Sequence, residues 1–281
     1  MISVNDVTVN VKQFPAGEQS ITDFVYADRH DNRCVIKWNY ENDGELFTLI
    51  SVVGHLRNKF QYYFNNLILV LPYMPHARMD RTKANSEVFT LKYFAKVIND
   101  LNFTRVAILD AHSDVSVGLL DRVVNSQCEE ILRKVLRDIN DNKIVVYFPD
   151  AGAYKRYKDN EAFNKLDMIY GEKIRDWKTH RIMGLTVNKN GLTDEQLAGR
   201  NVIMIDDIIS YGGTFYHSAK ALAELNVQQI YAYATHTENE MLNEERGTFI
   251  KALNSGLVKR LYTTDSIFNK EHEKVTVINA F

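Results

Sequence analysis

Two cysteines, four prolines and a net charge of −2 in 281 residues leave several classes of protein without support. Cys34 and Cys128 form no metal-ligand cluster, so both are expected as small core residues in a reducing compartment. A near-neutral chain gives no sign of a nucleic-acid or acidic-membrane partner, although a local basic cleft stays open. No apolar run approaches the ~18 residues that span a bilayer. The first ten residues, MISVNDVTVN, lack a basic region followed by an apolar core, so the expected location is the cytoplasm. Two phosphate-binding signatures are also missing, G-x-G-x-x-G and G-x-x-x-x-G-K-[ST].

What the chain does have is a rhythm of apolar strands and amphipathic helices. Val7–Val11, Ile21–Tyr26 and Cys34–Trp38 read as short strands, with a polar turn at Phe14–Glu18. Leu46, Leu49, Ile50, Val53, Leu56 and Phe60 recur at helical spacing within Glu45–Phe64. Leu67–Leu71 is a strand, followed by a basic loop from His76 to Ser86, a helix over Val88–Asn99 and a strand over Val106–Leu109. In the second half, strands are predicted at Ile144–Phe148, Leu166–Tyr170, Val202–Ile205 and Gln229–Ala234, with a closing strand in VTVINAF. A helix begins at Tyr154–Tyr157 and another after Gly213. Tyr62, Tyr63 and Phe64 are expected in the core.

Lys92–His112 falls on Tyr216–His236 without a gap at an offset of 124, aligning Ala95-Lys96 with Ala219-Lys220 and His112 with His236. A helix–strand–His unit used twice implies two similar halves, 1–140 and 141–281. Alternating strands and helices predict parallel sheets covered on both faces, with ligands at the carboxyl ends of the strands. Asp110, His112, Asp150, Lys173, Asp206 and Asp207 all fall there.

The richest stretch is NVIMIDDIISYGGTFYHSAKALAEL, Asn201–Leu225. An apolar strand meets two acids, then a loop ending in Gly212, Gly213 and Thr214, then a helix. Such a turn aims backbone N–H groups and the positive helix end at one point, an anion site. Glycine permits close approach to a phosphate, and the Thr214 hydroxyl can donate to it. Carboxylates repel phosphate, so Asp206 and Asp207 suit sugar hydroxyls or an intervening Mg²⁺. Lys173 and Arg175 alternate after a strand; they either neutralise charge on transferring oxygens or form a solvated basic hairpin. His112, flanked by Asp110 and Asp114, could join Asp150 on Mg²⁺ or be an ordinary packed residue. Arg78 and Arg81 bind polyphosphate or simply line a solvated loop. His236 is expected to be structural.

Together these segments resemble the ribose-phosphate pyrophosphokinase (PRPP synthetase) family, over nearly the whole chain and in family order. FPAGE looks like the F-S-D-G-E turn, and PYMPHARMDR like the P-Y-x-x-Y-A-R-Q-D-R loop. DAHSD is similar to the D-L-H motif, FPDAG to S-P-D-x-G, EKIR to D-K-R-R, and IDDIISYGGT to V-D-D-x-I-D-T-G-G-T. The resemblance implies an α/β fold of two type I phosphoribosyltransferase-like halves with mainly parallel sheets. It implies ATP as co-substrate, Mg²⁺ as cofactor and a homo-oligomer, dimer or hexamer. In that frame Lys173 and Arg175 are catalytic, and Phe14, Glu18, Arg78, Asp80 and His112 bind ATP. His112 and Asp150 engage Mg²⁺, while Asp206, Asp207, Ser210, Tyr211, Gly212, Gly213 and Thr214 bind the ribose phosphate.

The implied reaction moves the β,γ-pyrophosphate of Mg-ATP to C1 of ribose 5-phosphate. Departures from the family pattern are Ala16, Met79, Ala111, Ser210 and Tyr211, together with a chain that stops after VTVINAF. Ser210 removes a negative charge and Tyr211 adds an aromatic face at the phosphate end. An alternative acceptor is therefore ADP-ribose, giving an ADP-ribose 1-pyrophosphate usable for rebuilding a nicotinamide dinucleotide. A phosphoribosyltransferase that consumes PRPP, and a binding-only relative, are further alternatives.

Overall fold

The computed structural model describes residues 1–22, 33–60, 66–82, 84–175 and 182–281, with the backbone alone at 60, 173–175 and 182–184. The predicted strand Ile21–Tyr26 therefore continues beyond the described residues, and Tyr62–Phe64 lie outside them. The chain divides into two compact units, Met1–Gln127 with Phe281, and Cys128–Ala280.

In the first unit the order is β1 (Ile2–Val4), β2 (Val7–Thr8), β3 (Asn10–Gln13), β4 (Gln19–Thr22), β5 (Arg33–Trp38), α1 (Gly44–Phe60), β6 (Asn66–Val70), α2 (Thr90–Asp100), β7 (Arg105–Leu109), α3 (Asp114–Leu119) and β8 (Val123–Ser126). The sheet runs β2-β1-β5-β6-β7-β8, with β3 and β4 forming a separate hairpin. Strands β5 to β8 are parallel, and β1 is antiparallel to β5. Cys34, Ile36 and Trp38 are the buried alternate residues of β5, consistent with the core role expected for Cys34. Helices α1 and α2 cover the sheet with Leu49, Val52, Val53 and Leu56, and with Leu91, Phe94, Ala95 and Ile98. Each such Leu, Val, Ile or Phe contributes about 1.5–3 kcal/mol by leaving water.

The second unit holds α4 (Glu129–Ile139), β9 (Val145–Phe148), α5 (Ala151–Tyr157), β10 (Met168–Arg175), β11 (Ile182–Asn188), α6 (Asp194–Leu197), β12 (Val202–Ile209), α7 (Gly213–Ala223), β13 (Ile230–Thr237), α8 (Phe249–Asn254), β14 (Arg260–Thr264) and β15 (Val275–Ile278). Its sheet runs β11-β10-β9-β12-β13-β14-β15, parallel except for β10 against β11. β9 is buried at all four positions and β13 at all eight, as parallel strands covered on both faces should be. Among the described residues no helix is long and apolar enough to cross a membrane.

The two units repeat one path: α2 leads into β7 between β6 and β8, and α7 leads into β13 between β12 and β14. Their ends differ. β7 stops at Leu109 and Asp110 adopts φ 47°, so His112 lies beyond the strand. β13 continues to Thr237 and buries His236, whose Nδ1 lies 2.8 Å from Ser266 Oγ.

Two strands are longer than the apolar runs predict. β12 passes through the acids because its pairing with β13 continues from Asp206↔Ala234 to Ile209↔Thr237. β10 includes Lys173 and Arg175, predicted to follow the strand, because it pairs with β11, which periodicity does not announce. Gly171 permits this course: a Cβ there would lie 2.4 Å from the Tyr147 hydroxyl and 2.6 Å from the Pro149 carbonyl oxygen.

Candidate active site

The second unit gathers most of the expected sugar-phosphate residues at one strand–helix junction. β12 carries Asp206 and Asp207, Ser210–Gly212 make the turn, and Gly213 opens α7. Gly212 has φ 79°, and a Cβ there would lie 2.3 Å from Phe249 Cβ. Both backbone and packing therefore demand glycine. The first intrahelical bond runs from Tyr216 N to Gly212 O at 3.0 Å. The amides of Gly213, Thr214 and Phe215 precede it and have no acceptor within the helix, which leaves them for an anion at the positive helix end.

Around the turn, Tyr211 O accepts from Thr248 N at 2.8 Å and Phe249 N at 3.1 Å, fastening α8 to the loop. The Tyr211 side chain is 38% exposed. Ser210 Oγ donates to Glu238 Oε2 at 2.5 Å, so a carboxylate from beyond β13 borders the turn. Sequence reasoning missed Glu238, which follows its strand with no recognisable motif.

The two acids differ in environment. Asp207 is 3% exposed and pairs with Arg156 Nη1 at 2.9 Å. Asp206 accepts from Asp207 N at 3.0 Å through Oδ1. Burial first, and the Asp207 carboxylate beside it second, push the Asp206 carboxyl well above the usual carboxylate range. Arg156, the missed partner, sits in the last turn of α5.

Asp150 is the N-cap of α5: its Oδ1 accepts from Gly152 N at 3.0 Å and Ala153 N at 3.1 Å. Lys173 and Arg175 lie in β10 opposite Leu185 and Ile182, with a register shift between Ile174 and Arg175. β9 stands between β10 and β12.

In the first unit the candidates occupy three segments. Phe14–Glu18 tips the β3–β4 hairpin, closed by Phe14 N to Glu18 O and Gly17 N to Phe14 O, both 2.8 Å. Phe14 is 44% exposed, with Lys12 Nζ 5.5 Å from its ring. Arg78 is exposed, Asp80 lies 3.2 Å from Arg81 Nε, and His76 anchors the base of the loop to Asp43 at 2.9 Å. His112 is half-buried, and beside it the Ser113 and Ser116 hydroxyls are buried with no hydrogen-bond partner among the described residues.

Among the described residues no three His, Cys, Asp or Glu side chains form a group able to hold an ion. Magnesium ordinarily binds through one or two carboxylates, waters and substrate phosphates, and the carboxylate of Asp150 fits that mode.

The two acids, the glycine turn and the helix start lie together at one strand–helix junction of an α/β protein. No family model matches the chain. It is 29% identical over 228 residues to the ribose-phosphate pyrophosphokinase of Mycoplasma pneumoniae, covering 80% of this chain and 66% of that one. With the ribose-phosphate pyrophosphokinase of Sulfurisphaera tokodaii it shares 26% identity over 284 residues, 99% of this chain and 91% of the relative. The fold matches phosphoribosylpyrophosphate synthetase from Mycobacterium smegmatis at a TM-score of 0.75 and 19% identity, covering 98% and 87% of the two chains. Over nearly its whole length the chain is thus similar to ribose-phosphate pyrophosphokinases, and it has the fold of a phosphoribosylpyrophosphate synthetase.

Proposed function

We propose that this protein is a transferase that makes PRPP and AMP from Mg-ATP and ribose 5-phosphate. The observation that carries the reading is the junction of β12 and α7, where two acids on the strand, a glycine of positive φ in the turn and the first amides of the helix follow one another. Asp206 and Asp207 would orient the ribose hydroxyls, and Gly212, Gly213 and Thr214 the 5-phosphate. Phe14, Glu18, Arg78, Asp80 and His112 would bind ATP. The C1 hydroxyl oxygen bonds to the β-phosphorus and releases its proton to water, the bond from that phosphorus to the α,β-bridging oxygen breaks, and AMP departs with that oxygen. Lys173 and Arg175 would neutralise charge on the transferring group, so positioning and electrostatics carry the rate. Asp150 is a candidate magnesium contact in the second unit and His112 in the first; magnesium, when bound, would screen phosphate charge.

A second reading is favoured by one observation, the exposed Tyr211 ring at the phosphate end. There a diphosphate could extend beyond the cradle and its base stack on Tyr211, making ADP-ribose the acceptor. Incubation with Mg-ATP and either ribose 5-phosphate or ADP-ribose, with AMP as the readout, decides between them. Faster AMP release with ribose 5-phosphate supports the first reading and removes the second. Pyrophosphate release from PRPP and a base, without ATP, would instead reveal a phosphoribosyltransferase.

A further inference from the structure

Asp207 is a buried charge in need of compensation. A carboxylate inside a strand, 3% exposed and adjacent in sequence to a second carboxylate, is costly to bury unless a cation compensates it. Arg156 supplies the cation, at 2.9 Å, from a side chain that is itself only 25% exposed. Charge compensation alone does not require this particular helix, so the attachments of α5 matter.

Helix α5 is fastened at three places. At its start Asp150 caps the amides of Gly152 and Ala153, just past the end of β9. In the middle, Tyr154 stacks on Tyr170 of β10, with ring centroids 4.7 Å apart and planes 19° from parallel. At its end, Arg156 reaches Asp207 of β12 while its guanidinium lies 5.6 Å from the Tyr157 ring, which stacks on Phe148 of β9. One short helix over β9 thus grips both neighbouring strands. The backbone N–H of Asp207 in turn holds Asp206 Oδ1, so the placement of Asp206 depends on where Asp207 is held.

We propose that Arg156 is a positioning residue for the sugar-binding acids, acting through Asp207 to fix the carboxylate pair without touching the substrate. A planar guanidinium that both pairs with a carboxylate and packs on a ring suits this role better than a mobile ammonium. The inference rests on the proposed ribose-phosphate cradle and deepens it.

The test combines kinetics with direct calorimetric binding of ribose 5-phosphate and of ADP-ribose. Arg156→Met is expected to weaken the acceptor that the wild type uses by about tenfold or more, leaving KM for ATP within about twofold; Arg156→Lys should recover part of the loss. Because Arg156 acts through Asp207, Arg156→Met/Asp207→Asn should bind the acceptor no worse than Asp207→Asn alone. That neutral pair leaves no buried unpaired charge, so it also serves where Arg156→Met fails to fold. A folded Arg156→Met with unchanged acceptor affinity overturns the proposal, and so do additive losses in the double variant. A wild type that binds a sugar phosphate without releasing AMP sinks the pyrophosphokinase reading, while an Arg156→Met binding defect would still uphold the positioning role. Binding of neither ligand by the wild type overturns both.

Discussion

The two units connect equivalent strands and helices in very different ways. Between β12 and α7 lie three residues, 210–212; between β6 and α2 lie nineteen, 71–89. The short connection forces a glycine into φ 79° and aims the amides of an eleven-residue helix at one small volume. That geometry suits a single phosphate. The long connection carries Arg78 and Arg81 on a segment anchored by His76 and Asp43. Long cationic side chains suit a spread-out polyphosphate. On the proposed reading, one architecture offers two kinds of anion recognition, rigid backbone on one unit and side-chain charge on the other.

Four changes would break or sharpen that contrast. Lys173→Ala should lower kcat about a hundredfold or more with an unchanged melting temperature, as expected when a group stabilising transferred charge is removed. Near-normal turnover would take Lys173 out of that role. Gly212→Ala should destabilise the protein by about 2 kcal/mol or more and abolish sugar-phosphate binding, since the new Cβ meets Phe249 at a strained φ. Retained binding would mean that the rigid-backbone account is wrong. Arg78→Ala should raise KM for ATP about tenfold and spare the acceptor, a loss typical of one charge-assisted hydrogen bond. An acceptor defect of equal size would erase the division of labour.

The smallest effect concerns Asp206. Its carboxyl is held above the ordinary range, so the folded state keeps a proton that the unfolded chain loses near pH 4. The folded state then binds more protons, and stability falls as pH rises from about 4 through the raised value. Asp206→Asn should abolish that slope, so its melting temperature should gain on the wild type as pH rises. Parallel stability curves for the two proteins would contradict the assignment.

Much of the cradle was legible because its physics is local. An apolar run, two acids, a glycine turn and a helical repeat lie within a single stretch, and each has its own signal. The strand ends were harder. Lys173 and Arg175 looked like loop residues because Gly171 and charged neighbours interrupt the apolar pattern, yet Gly171 is what lets β10 pass Tyr147 and Pro149. His112 and His236 aligned in sequence, but β13 buries one while β7 ends before the other. The Arg156–Asp207 pair joins two elements far apart in the chain, and nothing local announces such a contact. Glu238 escaped for the same reason, reaching Ser210 only through the pairing of β12 and β13.

On the proposed reading the rigid cradle holds a ribose phosphate while Mg-ATP supplies the pyrophosphate. The most direct measurement is AMP release from Mg-ATP with ribose 5-phosphate present or absent. AMP and PRPP should form in equal amounts, dependent on the sugar phosphate and lost in Lys173→Ala. AMP formation indifferent to ribose 5-phosphate, or PRPP consumed rather than made, would contradict that reading.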